Sequence, residues 1–332
     1  MFIEHKIEPC PRLFIFARSV VNLNKLYKVV FVVLLFIVGI SNRGFAASLA
    51  GVDIDSLAEW EVVASSSGGK LLLSDSPEMV ATDGILYQDT VTGKNRLFFY
   101  HVNDAKCAKD FDVVIENEGV GAATVVLDRY GLGGPGYEWM AVGKEAVTAY
   151  FAGSKPSKLS IPPGATVSLA AVISETAVLP NMLINGIFDF TADKPVKIKV
   201  LMKPLFTDSD QFLRTAAVLP ADYVHLRGTF AGADRRIMPK AGYNPLSDGI
   251  KTITLADNRI DRYLQGIDAT DGSEVVNYGN YGVVYEVVIP ALKGESFACY
   301  LSPRGGHYAG AVGLKYRQTA QETIETPADR LF

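Results

Sequence analysis

Alternation of apolar and charged side chains is the feature of this sequence that most restricts its fold. The run KPVKIKVLM places valine or isoleucine at positions 196, 198 and 200, with a lysine between each pair. A two-residue period is typical of a β-strand with one buried and one solvated face. Comparable runs recur along the chain, so the sequence predicts a mainly β fold. We expect antiparallel sheets in a β-sandwich architecture, in one large domain or two sandwich-like domains.

Turn signals between these runs predict how the strands connect. GILYQDTVTGKNRLFFYHV has Gly-Lys-Asn between two β-rich runs, and DVVIENEGVGAATVVLD has glycines at 119 and 121. Both spacings predict β-hairpins. Further strands are expected at VHLRGTF, KTITLA, YGVVYEVVIPAL, SFACYLS and AGAVGLKY.

One stretch has a convincing helical period, because apolar residues recur every three or four positions across residues 137–151. We expect a helix there that covers the sandwich. A second, short helix is predicted in TDSDQFLRTAAVL, where Thr207 and Asp210 resemble a capping box. The KPLFTDSD segment then separates a predicted β-sandwich domain at 47–204 from a second β-rich domain at 205–317, which a polar tail at 318–332 follows.

The apolar run VVFVVLLFIVGI follows Lys25 and Lys28 and precedes small residues at Gly44 and Ala46. Its twelve residues are too few to cross a bilayer, which takes about 20 in a helix. The pattern predicts a signal peptide over residues 1–46, cleaved after Ala46. The alternative is an uncleaved anchor, lengthened by tilting. Cleavage predicts a secreted or cell-envelope protein with no stable membrane anchor.

The charge of the predicted mature chain disfavours nucleic acid as a partner. The whole chain has 32 basic and 36 acidic residues, and the leader takes away six and two of them, which leaves 26 against 34, a net charge of −8. Such a surface repels phosphate backbones.

Cys107 and Cys299 are the cysteines of the predicted mature chain. Export makes a disulfide between them possible, whereas the apolar run around Cys299 is typical of a buried free thiol. We expect the two cysteines to be either bridged or both buried.

Gly131, Gly133 and Gly136 fit the pattern G-x-G-x-x-G between a strand-like run and the predicted helix. A dinucleotide site also needs an acid about 20 residues further on, and that window holds KPSKLSIPPG. We interpret the glycines as a turn from a sheet edge into the covering helix, and expect no nucleotide cofactor.

The densest polar cluster is LADNRIDRYLQGIDATDGSEVVNYGNYG. Because hard cations collect six to eight oxygen ligands, Asp268 and Asp271 are candidate Ca²⁺ ligands. The alternative is that these residues form turns. Tyr278 and Tyr281 are candidate ligand-binding residues, since a tyrosine ring offers a sugar a flat apolar face.

The run SPRGGHYAG adds Arg304 and His307 as candidate ligand-binding residues, through anion capture, although such a run is also typical of a β-turn. The sequence contains no H-E-x-x-H zinc motif and no G-x-S-x-G nucleophile elbow. We therefore assign no catalytic residues.

Four runs resemble those of secreted bacterial β-rich proteins of unknown function: GILYQDTVTGKNRLFFYHV, HLRGTF, GIDATDGSEVVNYGNYGVVYEV and LSPRGGHYAGAV. Some members of that group carry a stalk similar to the copper amine oxidase N-terminal domain, which is not evident here. The resemblance spans about Ser74 to Tyr316. It implies export and a cell-envelope setting, and it brings no catalytic residues and no copper chemistry.

Together these features predict an exported, non-catalytic interaction module whose partner is an envelope polymer or a protein. The alternative is a secreted hydrolase of envelope polymers, with acids from residues 257–274 and a histidine in its active site.

Overall fold

The computed structural model describes residues 12–17, 27–34, 56–174, 176–244, 246–291, 297–303, 308, 310–316 and 321–326. The fold is mainly β, with 52% of the described residues in strands and 9% in helices. This confirms the predicted class of a sandwich-like β fold with few helices. Within the described residues, none of the helices combines the length and the apolar character that a membrane span requires.

The elements are as follows. The strands are β1 (Arg12–Ala17), β2 (Tyr27–Leu34), β3 (Val62–Ser67), β4 (Lys70–Ser74), β5 (Met79–Val80), β6 (Gly84–Asn103), β7 (Lys109–Glu116), β8 (Ala123–Gly136), β9 (Ser157–Ile161), β10 (Thr166–Ser168), β11 (Ala177–Val178), β12 (Leu183–Pro204), β13 (Arg227–Ala231), β14 (Asp234–Pro239), β15 (Lys251–Thr254), β16 (Gln265–Ile267), β17 (Glu274–Val276), β18 (Val284–Ala291), β19 (Phe297–Ser302), β20 (Ala311–Tyr316) and β21 (Glu322–Glu325). The helices are α1 (Trp139–Ala152), α2 (Ala171–Ser174) and α3 (Ser209–Leu213).

The chain forms two compact units. The first unit comprises Met1–Ser66, Asp234–Tyr263 and Val283–Phe332, and the second comprises Ser67–Ala233 and Leu264–Gly282. The boundaries of these units differ from those of the predicted domains, 47–204 and 205–317. The reason is that β13, β16 and β17, which all follow residue 204, extend the sheet of the second unit through β4.

The second unit is built around β12, which pairs with β6 along nearly its whole length. On its other side β12 pairs with β8 through Leu183–Ala192 and with β7 through Lys197–Pro204. Most pairings are antiparallel, whereas β4 and β5 run parallel to β6. The sheet is therefore mixed, although the sequence predicted antiparallel strands.

Both predicted hairpins are wrong. The Gly-Lys-Asn segment lies inside the continuous strand β6, with Gly93 at φ +72° next to a register shift between Ala192 and Val196 of β12. A glycine at positive φ beside such an irregularity is typical of a bulge as well as of a turn. The second hairpin fails because β7 and β8 pair with β12 instead of with each other.

The predicted alternation in KPVKIKVLM is confirmed within β12. Val196, Ile198 and Val200 are buried in the main apolar core of the second unit. The intervening lysines point to the other face, where Lys197 pairs with Glu118 at 3.0 Å and Lys199 with Glu116 at 2.5 Å. Burial of the apolar face stabilises the unit by about 25 cal/mol per Å² removed from water.

The first unit contains a three-stranded sheet, in the order β15-β1-β19, and a six-stranded sheet, in the order β21-β20-β2-β18-β14-β3. The five C-terminal strand predictions correspond to β13, β15, β18, β19 and β20. Strands β1 and β2 fall inside the predicted signal peptide, residues 1–46, and each lies between two partner strands.

The predicted covering helix is present as α1, and the three glycines before it lie in strand β8. A Cβ atom on Gly131 would lie 2.1 Å from the carbonyl oxygen of Ala146, and one on Gly133 would lie 2.0 Å from that of Val142. The glycines therefore allow the backbones of strand and helix to touch. This differs from the predicted role as a turn.

The other predicted helix is present as α3, but its cap is not the expected pair. Asp208 is the N-cap, and its side chain accepts a hydrogen bond from the backbone N–H of Gln211 at 2.9 Å. Aspartate is among the best N-cap residues, and it takes the place predicted for Thr207 in a capping box with Asp210.

The prediction for the cysteines is wrong. Cys107 and Cys299 are free thiols, and Cys107 is exposed. Cys299 is only partly exposed, and burial raises the pKa of its thiol to about 12.

Candidate functional site

Asp268, predicted as a metal ligand, is fully buried just after β16 and accepts four hydrogen bonds. Its Oδ2 accepts from His225 Nε2 at 2.9 Å and from Arg227 Nε at 2.8 Å. Its Oδ1 accepts from the backbone N–H and the hydroxyl of Thr270 at 2.9 and 2.6 Å. Burial alone would raise the pKa of Asp268, but the hydrogen bonds from Thr270, His225 and Arg227 hold it below its ordinary value.

Asp271, the second predicted metal ligand, is exposed. Its Oδ1 accepts from the backbone N–H and the hydroxyl of Ser273 at 2.9 and 2.6 Å. The structure brings the two aspartates together with His225, since one potential ligand atom of each lies within 4.8 Å of the others. Arg227 already offsets the charge of Asp268 there. Ca²⁺ binding by Asp268 and Asp271 stays a prediction.

The loop of residues 222–225 places His225 beside Asp268. Hydrogen bonds to the Asp222 side chain hold the backbone of this loop. One carboxylate oxygen of Asp222 accepts from the backbone N–H groups of Val224 and His225 at 3.0 and 3.1 Å. The other accepts from Glu78 N at 3.0 Å, and Asp222 N donates to Ser76 Oγ at 2.9 Å. His225 adopts φ +56°, a left-handed conformation that is uncommon outside glycine.

The loop presents Tyr223 to solvent with 87% of its surface exposed. Val224, beside it, and Ile267, next to Asp268, are also exposed apolar residues. The amino-acid sequence of the loop does not indicate this rigidity, because it depends on Ser76, Glu78 and Asp268, which are distant in sequence.

The segment 74–78, which holds Asp222, also contributes Ser74 to a serine–histidine pair with His101 of β6. His101 Nδ1 lies 2.9 Å from the carbonyl oxygen of Pro77. Since a carbonyl only accepts, Nδ1 carries the proton, and Nε2 accepts from the hydroxyl of Ser74 at 2.8 Å. Burial lowers the pKa of His101 to about 4, so the ring is neutral at pH 7. Ser74 and His101 are both 0% exposed, so the pair is buried.

Asp75 lies next to this pair and is 8% exposed. Its backbone N–H donates to Leu226 O at 3.0 Å, whereas its Oδ1 has no hydrogen-bond partner among the described residues. Burial, and then the charges of Glu78 and Asp222, raise the pKa of this carboxyl well above its ordinary value.

Of the remaining predicted ligand-binding residues, the structure describes Tyr278 and Tyr281. Tyr278 is 44% exposed after β17, and Tyr281 is half-buried, with its N–H donating to Asn277 Oδ1 at 2.8 Å. Arg304 and His307 lie outside the described residues.

Asp261, another acid of the cluster, is fixed in the first unit by Arg235 at 3.0 Å and by the hydroxyl of Tyr285 at 2.6 Å. The polar cluster that the sequence shows as one segment is thus divided between the two units.

Comparisons with known proteins add little to this geometry. No family model and no curated protein matches the sequence. Among solved structures, a chain from the structure of infectious bursal disease virus, Gx strain, is similar at 9% identity and a TM-score of 0.16. The match covers 59% of this chain and 55% of the viral one, and at that TM-score it carries no argument.

Proposed function

We propose that the protein is an exported, non-catalytic interaction module of the cell envelope or extracellular space, which binds a carbohydrate polymer through the 222–225 loop. The observation that carries the proposal is the position of Tyr223, an almost fully exposed aromatic side chain on a loop with a fixed backbone. The sequence resemblance to secreted bacterial proteins supports the same setting.

Tyr223 suits a binding role because its loop is already ordered. Asp222 accepts three backbone N–H groups, and His225 is bonded to a buried carboxylate. Holding a left-handed residue costs about 1–3 kcal/mol, and such strain clusters at functional sites. A rigid aromatic residue loses little entropy when it binds, so more of the contact energy appears as affinity.

The surroundings of Tyr223 favour a carbohydrate. A tyrosine ring stacks on the apolar face of a sugar, and the exposed carboxylate of Asp271 accepts hydrogen bonds from sugar hydroxyls. Val224, the next residue after Tyr223, is also an exposed apolar residue.

The test is co-sedimentation with purified peptidoglycan sacculi and with insoluble cell-wall polysaccharide. We expect the parent to sediment with one of them and Tyr223→Ala to stay in solution. Tyr137→Ala removes another exposed tyrosine and is the matched control, which should sediment like the parent. Failure of the parent to bind either polymer would exclude a carbohydrate ligand, and equal binding by Tyr223→Ala would exclude this loop.

The alternative, a secreted hydrolase, is favoured by one contact, the 2.9 Å hydrogen bond between His225 and Asp268. It joins a histidine to an acid of the 257–274 cluster, as that hypothesis requires. The four donors on Asp268 oppose it, because they leave this carboxylate little capacity to act as a base. Release of soluble sugars or peptides from sacculi by the parent, lost in His225→Ala, would establish the hydrolase instead.

A further inference from the structure

The backbone on both sides of Asp75 is fixed by contacts with other elements. Before it, Ser74 is bonded to His101. After it, the Ser76 hydroxyl accepts from Asp222 N, and Glu78 O accepts from Val102 N at 2.8 Å. A side chain in such a segment has a defined position before any ligand arrives.

The carboxylate of Asp75 is the unsatisfied group of this segment. It is more than nine-tenths buried, and its Oδ1 has no partner within the described part of the chain. The negative charges of Glu78 and Asp222 disfavour the ionised form of Asp75, as burial does. A buried polar group without a partner requires an explanation, such as protonation or a bound ion.

The neighbouring basic groups do not offset this charge. His101 is neutral at pH 7, because burial lowers its pKa to about 4. The guanidinium of Arg227 is held by other groups: its Nε bonds to Asp268, one terminal nitrogen to the carbonyl oxygens of Leu86 and Leu219 and, at 3.5 Å, of Ser76, and the other to Thr270.

We propose that the carboxylates of Asp75 and Glu78 bind a hard divalent cation, such as Ca²⁺, with the charge of Asp222 supporting it. Carboxylate oxygens are the ligands that Ca²⁺ prefers, and backbone carbonyls and waters complete its coordination. This site differs from the Asp268 and Asp271 pair, where Arg227 already supplies a positive charge.

The test compares melting midpoints in chelator and in millimolar CaCl₂ at constant ionic strength. We expect Ca²⁺ to raise the midpoint of the parent by a few degrees, with a shift that grows with free Ca²⁺, because the ion binds the folded state. Asp75→Asn should lose the shift while staying folded, since it removes a buried charge. Asp271→Asn, which changes an exposed acid of the other cluster, should keep the shift.

Equal midpoints for the parent in both buffers would overturn the proposal. A shift that Asp75→Asn retains would also overturn it, and loss of the shift in Asp271→Asn instead would assign the cation to the acidic loop.

Terbium luminescence gives a second measurement. Tyr100 is within electrostatic range of Asp75 and Glu78 and can sensitise a bound Tb³⁺ ion. The signal should be displaced by Ca²⁺ and lost in both Asp75→Asn and Glu78→Gln. A parent signal that both variants preserve would overturn the proposal.

Discussion

At the scale of the residue, His101 makes the stability of the second unit depend on pH. Its pKa falls from 6.5 in an exposed ring to about 4 in the folded protein. The unfolded chain therefore takes up a proton as the pH falls through 6.5, whereas the folded chain resists protonation until about pH 4. The stabilising contribution is complete above pH 6.5 and is lost progressively between the two values, and it amounts to about 3 kcal/mol.

We expect urea unfolding to show a weaker pH dependence between pH 6.5 and 4 for His101→Gln than for the parent. Glutamine keeps an acceptor for Ser74 and a donor for Pro77 but does not titrate. Asp75, whose pKa is raised, acts in the opposite direction and is present in both proteins, so it cancels in the difference. Parallel stability curves would contradict a neutral buried His101.

Cys107 is the thiol that should react in the native protein. It is exposed, while burial raises the pKa of Cys299 to about 12 and keeps that thiol protonated and slow. Labelling the full-length protein with Cys10 replaced by serine, without reductant, should give one fast thiol per chain, and adding Cys107→Ser should abolish the fast phase. Labelling of the parent only after reduction would instead indicate a disulfide between Cys107 and Cys299.

The burial of individual acidic residues could not be predicted from the sequence. Asp268 and Asp271 belong to one acidic run, yet the first is fully buried and the second is exposed. The difference arises because β13 pairs with β16 and brings Arg227 to Asp268. Nothing in the acidic run itself indicates that pairing, so the sequence identified the cluster without distinguishing the roles of its members.

At the scale of the element, the contact between α1 and β8 depends on two glycines. Gly131→Ala places a methyl group 2.1 Å from a helix carbonyl, which forces the helix away from the strand. It should also disturb the 2.6 Å hydrogen bond from the Tyr150 hydroxyl of α1 to Asp189 of β12. Overpacking of this kind costs about 1–3 kcal/mol.

Chemical denaturation of Gly131→Ala measures this cost. Gly121→Ala is the matched control, because its added methyl group meets only the end of the Lys194 side chain, at 3.2 Å. The control should unfold within about 0.5 kcal/mol of the parent. Equal stability of Gly131→Ala and the control would show that the helix does not pack closely on the strand.

Individual strands were easier to predict than their partners. The period of two that places Val196, Ile198 and Val200 in the core is a local property. The pairing of β12 with β6, β7 and β8 is not local, since these strands are separated by long stretches of chain. Turn residues such as Gly93 mark an irregularity without stating whether the strand ends there, which is why the first hairpin prediction failed. The second failed because β7 and β8 each pair with β12 instead of with each other.

At the scale of the whole molecule, composition and periodicity were sufficient for the fold class. They were not sufficient for the two units, because the chain passes between the units after residues 66, 233, 263 and 282. A linker-like segment such as KPLFTDSD marks a domain boundary only where each domain is one continuous segment. It instead connects β12 to α3 within the second unit.

Export with cleavage after Ala46 would change the first unit, because two of its strands precede the cleavage site. Strand β2 lies between β18 and β20, and β1 lies between β15 and β19. Cleavage after Ala46 would remove both strands and leave their partners with unpaired backbone groups, which exposes β18 and β20 to solvent exchange.

We expect mass spectrometry of the exported protein to find Ala47 at its N-terminus. Hydrogen exchange of that mature chain should then be faster in Val284–Ala291 of the first unit than in β12 of the second, whose partners all follow the cleavage site. Recovery of residues 27–34 in the exported protein, with slow exchange in β18, would contradict the signal-peptide interpretation. The apolar run would then be a structural strand, retained because the six-stranded sheet requires it.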